Sequence, residues 1–380
     1  MIFDYETLKL IWWLFIGVLL IGFAVTDGFD MGVAILLPFL GKTDDERRVI
    51  INTIGPVWEG NQTWFVTAGG AMFAAWPLVY AAAFSGFYVA LLLVLFALFF
   101  RPVGFDYRSK LPNPAWRDFW DWGLFAGGAV PALVFGVAFG NLLLGVPFSF
   151  DHDLRSFYTG TFWQLLNPFS LLVGALSLSM LVMHGAAYLN LRTDGTVQPR
   201  ARRALILAGI ATIALFALAG LWVAYGIEGY RIITTVDGNA YANPLAKTVE
   251  KAVGAWLDNY GHYQWMLGAP LAGFGGALLA IACARTNRPG AAFIASGVAV
   301  AGVILTAGFS MFPFIMPSSS NPNSSLTLWD AASSHRTLQL MFWVTVIFLP
   351  IIIAYTSWVY RVMRGTVSVQ SIKDNTHTAY

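Results

Sequence analysis

Stretches of mainly apolar residues, each long enough as a helix to cross the hydrocarbon core of a bilayer, recur nine times along this 380-residue chain. They fall at 10–39, 50–75, 78–100, 120–144, 163–190, 204–227, 263–284, 291–313 and 337–360. In lipid, backbone N–H and C=O groups must pair within the chain, which restricts spanning structures to helices and closed barrels. Runs of this length and continuity predict helices, so the expected fold class is an all-α polytopic membrane protein, one integral membrane domain over 1–380. Composition agrees: 57% of residues are hydrophobic and 11% are charged, against about a quarter charged in soluble domains.

The second run is the weakest, because Gly55, Pro56, Glu59, Asn61 and Gln62 dilute it, and an eight-span arrangement that leaves it outside is the competitor. Charge bias favours nine. With nine spans, 16 of the 22 Lys and Arg lie on one side, in the connections 41–49, 101–119, 191–203 and 285–290 and in the tail from Arg361. The positive-inside rule then puts the N-terminus outside and the C-terminus in the cytoplasm. Eight spans would place Arg47 and Arg48 on the unfavourable side. The acidic start MIFDYETLKL and the absence of a small-residue cleavage motif predict that the first helix is retained. Ten tryptophans near span ends (12, 13, 58, 64, 76, 116, 120, 122, 343 and 358) read mainly as interfacial anchors. The connection 228–262 reads as a solvated loop, and the turn-rich segment after Met311 leads to a new helix start near Ala331.

Ionisable residues inside such runs are costly and usually handle protons, ions or substrate. Glu59 lies in the second run, and Asp27 and Asp30 lie three residues apart in the first. Asp30 is 12 residues before Lys42 and Glu59 is 11 after Arg48, each about 17 Å from the charged connection if helical. Three carboxylates are therefore expected to gather near mid-membrane. For Glu59 the structural alternative is a buried carboxyl held by Asn61, Gln62 or Thr63. Arg101 and Arg108 flank Asp106 after the third span, as a helix-end ion pair or the mouth of a proton path.

A net charge of +2 and the lack of a basic, aromatic-interleaved run argue against a nucleic-acid partner. The single cysteine, Cys283, excludes an internal disulfide and a thiolate cluster. Of five histidines, only His184 is well inside a span. With Met180 or Met183 it has the elements of a haem ligand pair, though a lone membrane histidine is more often hydrogen-bonded within its bundle. The sequence contains neither HExxH nor CxxC, and no Gly-rich phosphate loop follows a strand.

The motifs GFAVTDGFDMG at 22–32, ERR at 46–48, WEGNQTW at 58–64, FAAWPLVYAAAFSGFY at 73–88, FFRPVGFDYRSK at 99–110, TAGFSMFPFIMPSS at 306–319 and LTLWDAASS at 326–334, with the closing NTHTAY, together resemble subunit II of the cytochrome bd quinol oxidases. The resemblance implies two four-helix bundles plus a peripheral helix, and a heterodimer with subunit I. In that family subunit I carries two b haems, the d haem and the quinol-binding loop, and small single-span accessory subunits occur. It further implies quinol oxidation outside, O2 reduction to water with protons from the cytoplasm, and a membrane potential made without pumping. This chain itself would bind no haem or metal, with a structural quinone or lipid tail possible among its helices. By motif, Glu59 takes an acidic position on the proton path and Asp106 one near its cytoplasmic entrance, while Asp27 and Asp30 match family residues without a firm role. Two other classes remain open: a proton- or cation-coupled secondary transporter, which would favour broken helices in both halves, and a scaffold whose acids are merely satisfied.

Overall fold

The computed structural model describes residues 3–374, so His377 and the NTHTAY ending lie outside the described residues. Fourteen α-helices carry the fold: α1 (Tyr5–Leu40), α2 (Asp44–Ile54), α3 (Trp58–Ala75), α4 (Pro77–Gly86), α5 (Tyr88–Leu98), α6 (Phe100–Tyr107), α7 (Pro114–Leu144), α8 (Pro168–Arg192), α9 (Val197–Tyr225), α10 (Asp258–His262), α11 (Gly268–Arg285), α12 (Pro289–Met311), α13 (His335–Val362) and α14 (Val369–Asp374). Three antiparallel hairpins interrupt them: β1 (Phe148–Phe150) with β2 (Ser156–Tyr158), β3 (Glu228–Ile232) with β4 (Val249–Val253), and β5 (Phe314–Met316) with β6 (Leu326–Thr327).

Eight helical segments are long and apolar enough to cross a membrane; residues 50–75 are not among them. That stretch is helical but broken. Pro56 lacks a backbone N–H, and α2 closes at Gly55 before α3 begins at Trp58. Together α2 and α3 nevertheless run from one end of the molecule to the other, α3 taking up the chain at the level of Asp30. At its start it follows α2, whose Glu46 binds Arg200 next to Leu40, and at its finish the Ala75 carbonyl accepts the Ser333 N–H beside the N-terminal residues. Among the described residues the chain therefore makes nine end-to-end passes, one of them too polar to score as a lipid-facing helix. The third predicted span is also subdivided, at Phe87 and Phe99, and α4 sits against the β1–β2 hairpin, where Gly86 meets Tyr158.

Packing divides the passes as the resemblance implies. Helices α1, α3, α5–α6 and α7 form one bundle, and α8, α9, α11 and α12 form the other. Helix α13 lies outside both, touching α1 and α3, and only Leu338 of its 28 residues is buried. The bundles are joined along α1 and α8, where Gly32 and Gly185 allow the backbones to meet: a Cβ on Gly32 would stand 2.0 Å from the Leu181 carbonyl oxygen.

Some details differ from the sequence reading. The 228–262 connection is not a plain loop: its hairpin buries Tyr230 and Trp256, and Trp256 Nε1 donates to the Leu143 carbonyl. Lys9 fastens this cap by donating to the carbonyls of Gly238, Ala240 and Trp329 at 2.9, 3.0 and 2.6 Å. Helix α13 begins at His335 rather than near Ala331, because Ser334 accepts the Thr337 N–H as its N-cap. Trp12, Trp58 and Trp76 are core residues, not interfacial anchors, since their rings fill contacts between helices. Trp122, Trp343 and Trp358 are exposed as expected of anchors.

Replacing Gly32 with Val is expected to wedge α1 from α8 and to cost about 1–3 kcal/mol of stability or more. A detergent-solubilised thermal melt that leaves Tm unchanged would contradict the close approach.

Candidate functional site

Asp27 and Asp30 sit one helical turn apart on the buried face of α1, which turns both carboxylates away from lipid. They have different partners. Arg101, from the start of α6, closes a two-pronged pair on Asp27, with Nη1 donating to Oδ2 at 2.9 Å and Nη2 to Oδ1 at 2.5 Å. Neither side chain exceeds 1% exposure. The Trp58 ring lies 5.5 Å from the guanidinium and stacks on Phe105 at 5.1 Å, which holds α3 against α6 at this level.

Asp30 accepts a 2.7 Å hydrogen bond at Oδ2 from Asn61 Nδ2, and the Tyr360 hydroxyl donates to Asn61 Oδ1 at 2.6 Å. The peripheral helix thus reaches the core through one polar side chain. Asp30 Oδ1 is buried and has no hydrogen-bond partner among the described residues. A buried carboxylate oxygen left unpaired is costly and marks a position where a proton can reside.

The structure places Glu59 and Asp106 differently from this pair: both are exposed. Asn61, two residues after Glu59, bonds Asp30, so the predicted match of levels holds, but the Glu59 carboxylate points away and does not join the others. The buried-carboxyl alternative for Glu59 also fails, since Asn61 serves Asp30 instead. Asp106 forms no ion pair with the arginines beside it. Arg101 is taken by Asp27, and Arg108 by Asp121, with Nε to Oδ1 at 2.5 Å and Nη2 to Oδ2 at 3.1 Å.

Arg108 belongs to a network that ties α2 and α7 together at the arginine-rich end. Asp44 accepts from Arg108 at 2.9 Å and from Arg117 at 2.6 Å, while Arg47 donates to Asp121 at 2.8 Å and to Asp118. Nearby, Glu46 closes a capping box with Thr43 and accepts from Arg200 at 2.8 Å and from Thr196 at 2.5 Å. Partial burial works against the Glu46 charge, but these bonds prevail and pull its carboxyl from 4.5 down to about 2.

His184 is fully buried, stacked on Phe293 at 4.9 Å, with Nδ1 within 2.8 Å of Ser296 Oγ and Nε2 within 2.9 Å of the Val25 carbonyl. Both ring nitrogens are engaged, so His184 with Met180 or Met183 does not fit a haem, and it joins α8 to α1 and α12 instead. No cluster of three or more His, Cys, Asp or Glu suited to a metal occurs among the described residues. An apolar cavity of about 720 Å³ lies between the bundles, bounded by Phe23, Phe135, Phe216 and Phe274, with Ser177, Thr306 and Ser310 among its few polar residues.

A family description, cytochrome bd terminal oxidase subunit II, matches residues 8–363. The chain belongs to the cytochrome bd oxidase subunit II family. It is 56% identical over 377 residues to the cytochrome bd-I ubiquinol oxidase subunit 2 of Escherichia coli K12, covering 99% of this chain and all of that protein. It is 33% identical over 362 residues to the cytochrome bd ubiquinol oxidase subunit 2 of Bacillus subtilis, covering 94% and 96%. In fold it is similar to a chain of the bd oxidase from Geobacillus thermodenitrificans, with a TM-score of 0.70 at 17% identity over 94% of this chain and 98% of the other. The four helices of the second bundle run unbroken, so the paired breaks expected of a transporter do not occur among them.

Asp27→Asn leaves the Arg101 charge buried without its counter-ion and is expected to destabilise by about 3–5 kcal/mol, whereas replacing both by apolar residues restores much of the loss. Thermal melts of the two variants check this; equal losses would contradict it. Because the Glu46 carboxyl is depressed on folding, its contribution is complete above about pH 4.5 and fades as pH falls toward 2. Glu46→Gln should therefore lower Tm at pH 7 and converge on the unsubstituted chain in acid.

Proposed function

We propose that this chain is the haem-free partner of subunit I in a bacterial inner-membrane quinol oxidase. In this reading the complex oxidises quinol and reduces O2 to water, with the haems, two b-type and one d-type, in subunit I. Its part is to stabilise that subunit and to help bring protons from the cytoplasm to it. Charge separation then follows from proton uptake on one side without pumping. The arginine-rich end, with Arg47, Arg108, Arg117 and Arg200, faces the cytoplasm and the N-terminus faces out.

The observation that carries the proton role is the pairing of a surface carboxylate with a buried one at the same level. Glu59 is exposed on α3 at membrane depth. A carboxylate there is unfavourable against lipid, so a partner face has to cover it. Two residues along the same helix, Asn61 holds Asp30, whose Oδ1 has room in its hydrogen-bonding capacity for a proton. Asp106, exposed on α6 toward the arginine-rich end, is placed to collect protons from the cytoplasm. Asp27 has a different role: locked by Arg101, it sets the field around Asp30 and does not itself carry protons. Reduction of O2 in a low-dielectric site needs a proton with each electron, since uncompensated charge there is prohibitive.

The cavity between the bundles fits an isoprenoid or acyl tail, because its wall is almost wholly apolar. A quinone held there would contribute its tail to packing. Small single-span accessory subunits are a further expected partner, and α13, of which only Leu338 is buried, leaves a flank open to one.

Glu59→Gln in the purified complex is expected to slow quinol-driven O2 uptake at least about tenfold, equivalent to about 1.4 kcal/mol in the barrier, while the haem spectrum stays intact. Glu59→Asp should retain most of the rate. Unchanged turnover in Glu59→Gln would remove Glu59 from the path and favour the scaffold reading.

A further inference from the structure

Helices α9, α11 and α12 contain no acidic residue. At their shared arginine-rich end they nevertheless gather Arg202, Arg203, Arg285 and Arg288, and the only carboxylate in the two connections there, 193–196 and 286–288, is Asp194. Contact between α9 and α11 brings the arginines together: one to two turns deeper, a Cβ on Gly209 would lie 2.9 Å from Ile281. Arg202 Nη2 donates to Asn287 Oδ1 at 2.5 Å, and Asn287 holds a left-handed backbone (φ 56°) that turns α11 into α12. Arg203, Arg285 and Arg288 are exposed, and among the described residues none of the four forms an ion pair with a carboxylate, in contrast to Arg47, Arg108, Arg117 and Arg200 nearby.

Two further features point to an anion. The N-terminus of α12 has no side-chain cap, its N-cap position being Arg288, and the space over Gly290 is open. The first-turn amides of a 23-residue helix and its positive dipole end are thus presented beside the arginines. Second, Arg202 Nε is buried and without a partner among the described residues. Directly below the arginines, Leu207, Leu278 and Ile294 are 69%, 58% and 70% exposed, an apolar wall fit for acyl chains.

We propose that this corner is a binding site for an anionic phospholipid, with the phosphate held by Arg285, Arg288 and the α12 N-terminus, and the acyl chains lying along α9, α11 and α12. Charge complementarity selects the headgroup: arginine forks suit phosphate oxygens, and four arginines against the single carboxylate of Asp194 favour a net anionic headgroup over a zwitterionic one. The adjoining apolar wall selects a lipid over a soluble anion. The site lies on α9, α11 and α12, in the bundle that does not contain Glu59, and does not depend on the proposed proton path.

The test uses the purified complex, delipidated in mild detergent, with native mass spectrometry and thermal melts. Added cardiolipin is expected to remain bound and raise Tm, with phosphatidylcholine and inorganic phosphate giving no shift. Arg285→Gln with Arg288→Gln should weaken retention at least about tenfold and abolish the Tm shift, whereas the Lys/Lys pair, which keeps both charges, retains both. Equal retention by the Gln pair, an equal shift with phosphatidylcholine, or the same shift with phosphate at matched phosphoryl concentration would each overturn the proposal. Should the Gln pair fail to assemble, the lipid-class comparison on the unsubstituted complex decides alone.

Discussion

A guanidinium locked to a carboxylate inside an apolar bundle organises the first half of this protein. Burying Arg101 or Asp27 alone would be prohibitive; buried together with two hydrogen bonds, they fix where α6 meets α1. Trp58 closes over the guanidinium and carries α3 with it. That contact sets the position of Asn61, and Asn61 sets both the Asp30 contact and the docking of α13 through Tyr360. An ion pair that adds little net stability thus acts mainly as a register pin, choosing one arrangement among helices whose apolar faces are nearly interchangeable. On the other side of α1 the same selection is made by shape, where Gly32 and Gly185 let the backbones of the two bundles touch, and by His184, whose two ring nitrogens tie α8 to α1 and α12.

Lipid as solvent explains which parts of this were legible in the sequence. Apolar length alone gives the spans, and the number of passes follows once the arginines are required on one side. The broken second span shows the limit of hydropathy. Helix α3 is sheltered on the side where Asn61 meets Asp30, so it tolerates residues that a lipid-facing helix would not. Its polarity reflects neighbours distant in sequence. The same reason accounts for Trp12, Trp58 and Trp76, whose positions near span ends match interfacial rings but whose surroundings are other helices.

At the candidate site, the residue types and their depth were readable, the partners were not. The three-residue spacing of Asp27 and Asp30 places them on one face, but nothing local tells that Arg101, 74 residues on, takes the first and leaves the second to an amide. Tyr360 was missed altogether. The available signal was slight: a tyrosine hydroxyl at the end of the last apolar run. Glu59 illustrates the converse, since a carboxylate at depth suggests burial, and only packing reveals that it faces out. Membership in the oxidase subunit II family implies a subunit I partner, and under the proposed function that partner is what covers the outward carboxylate.

The division of labour between the two subunits is the central claim, and a reduced-minus-oxidised visible spectrum tests it most directly. The chain purified alone is predicted to be colourless, and the chain purified with subunit I to show b- and d-type haem bands with quinol-driven O2 uptake. Haem bands in the chain alone would contradict the account, because a ligand would then have to come from His184, whose two nitrogens are already engaged.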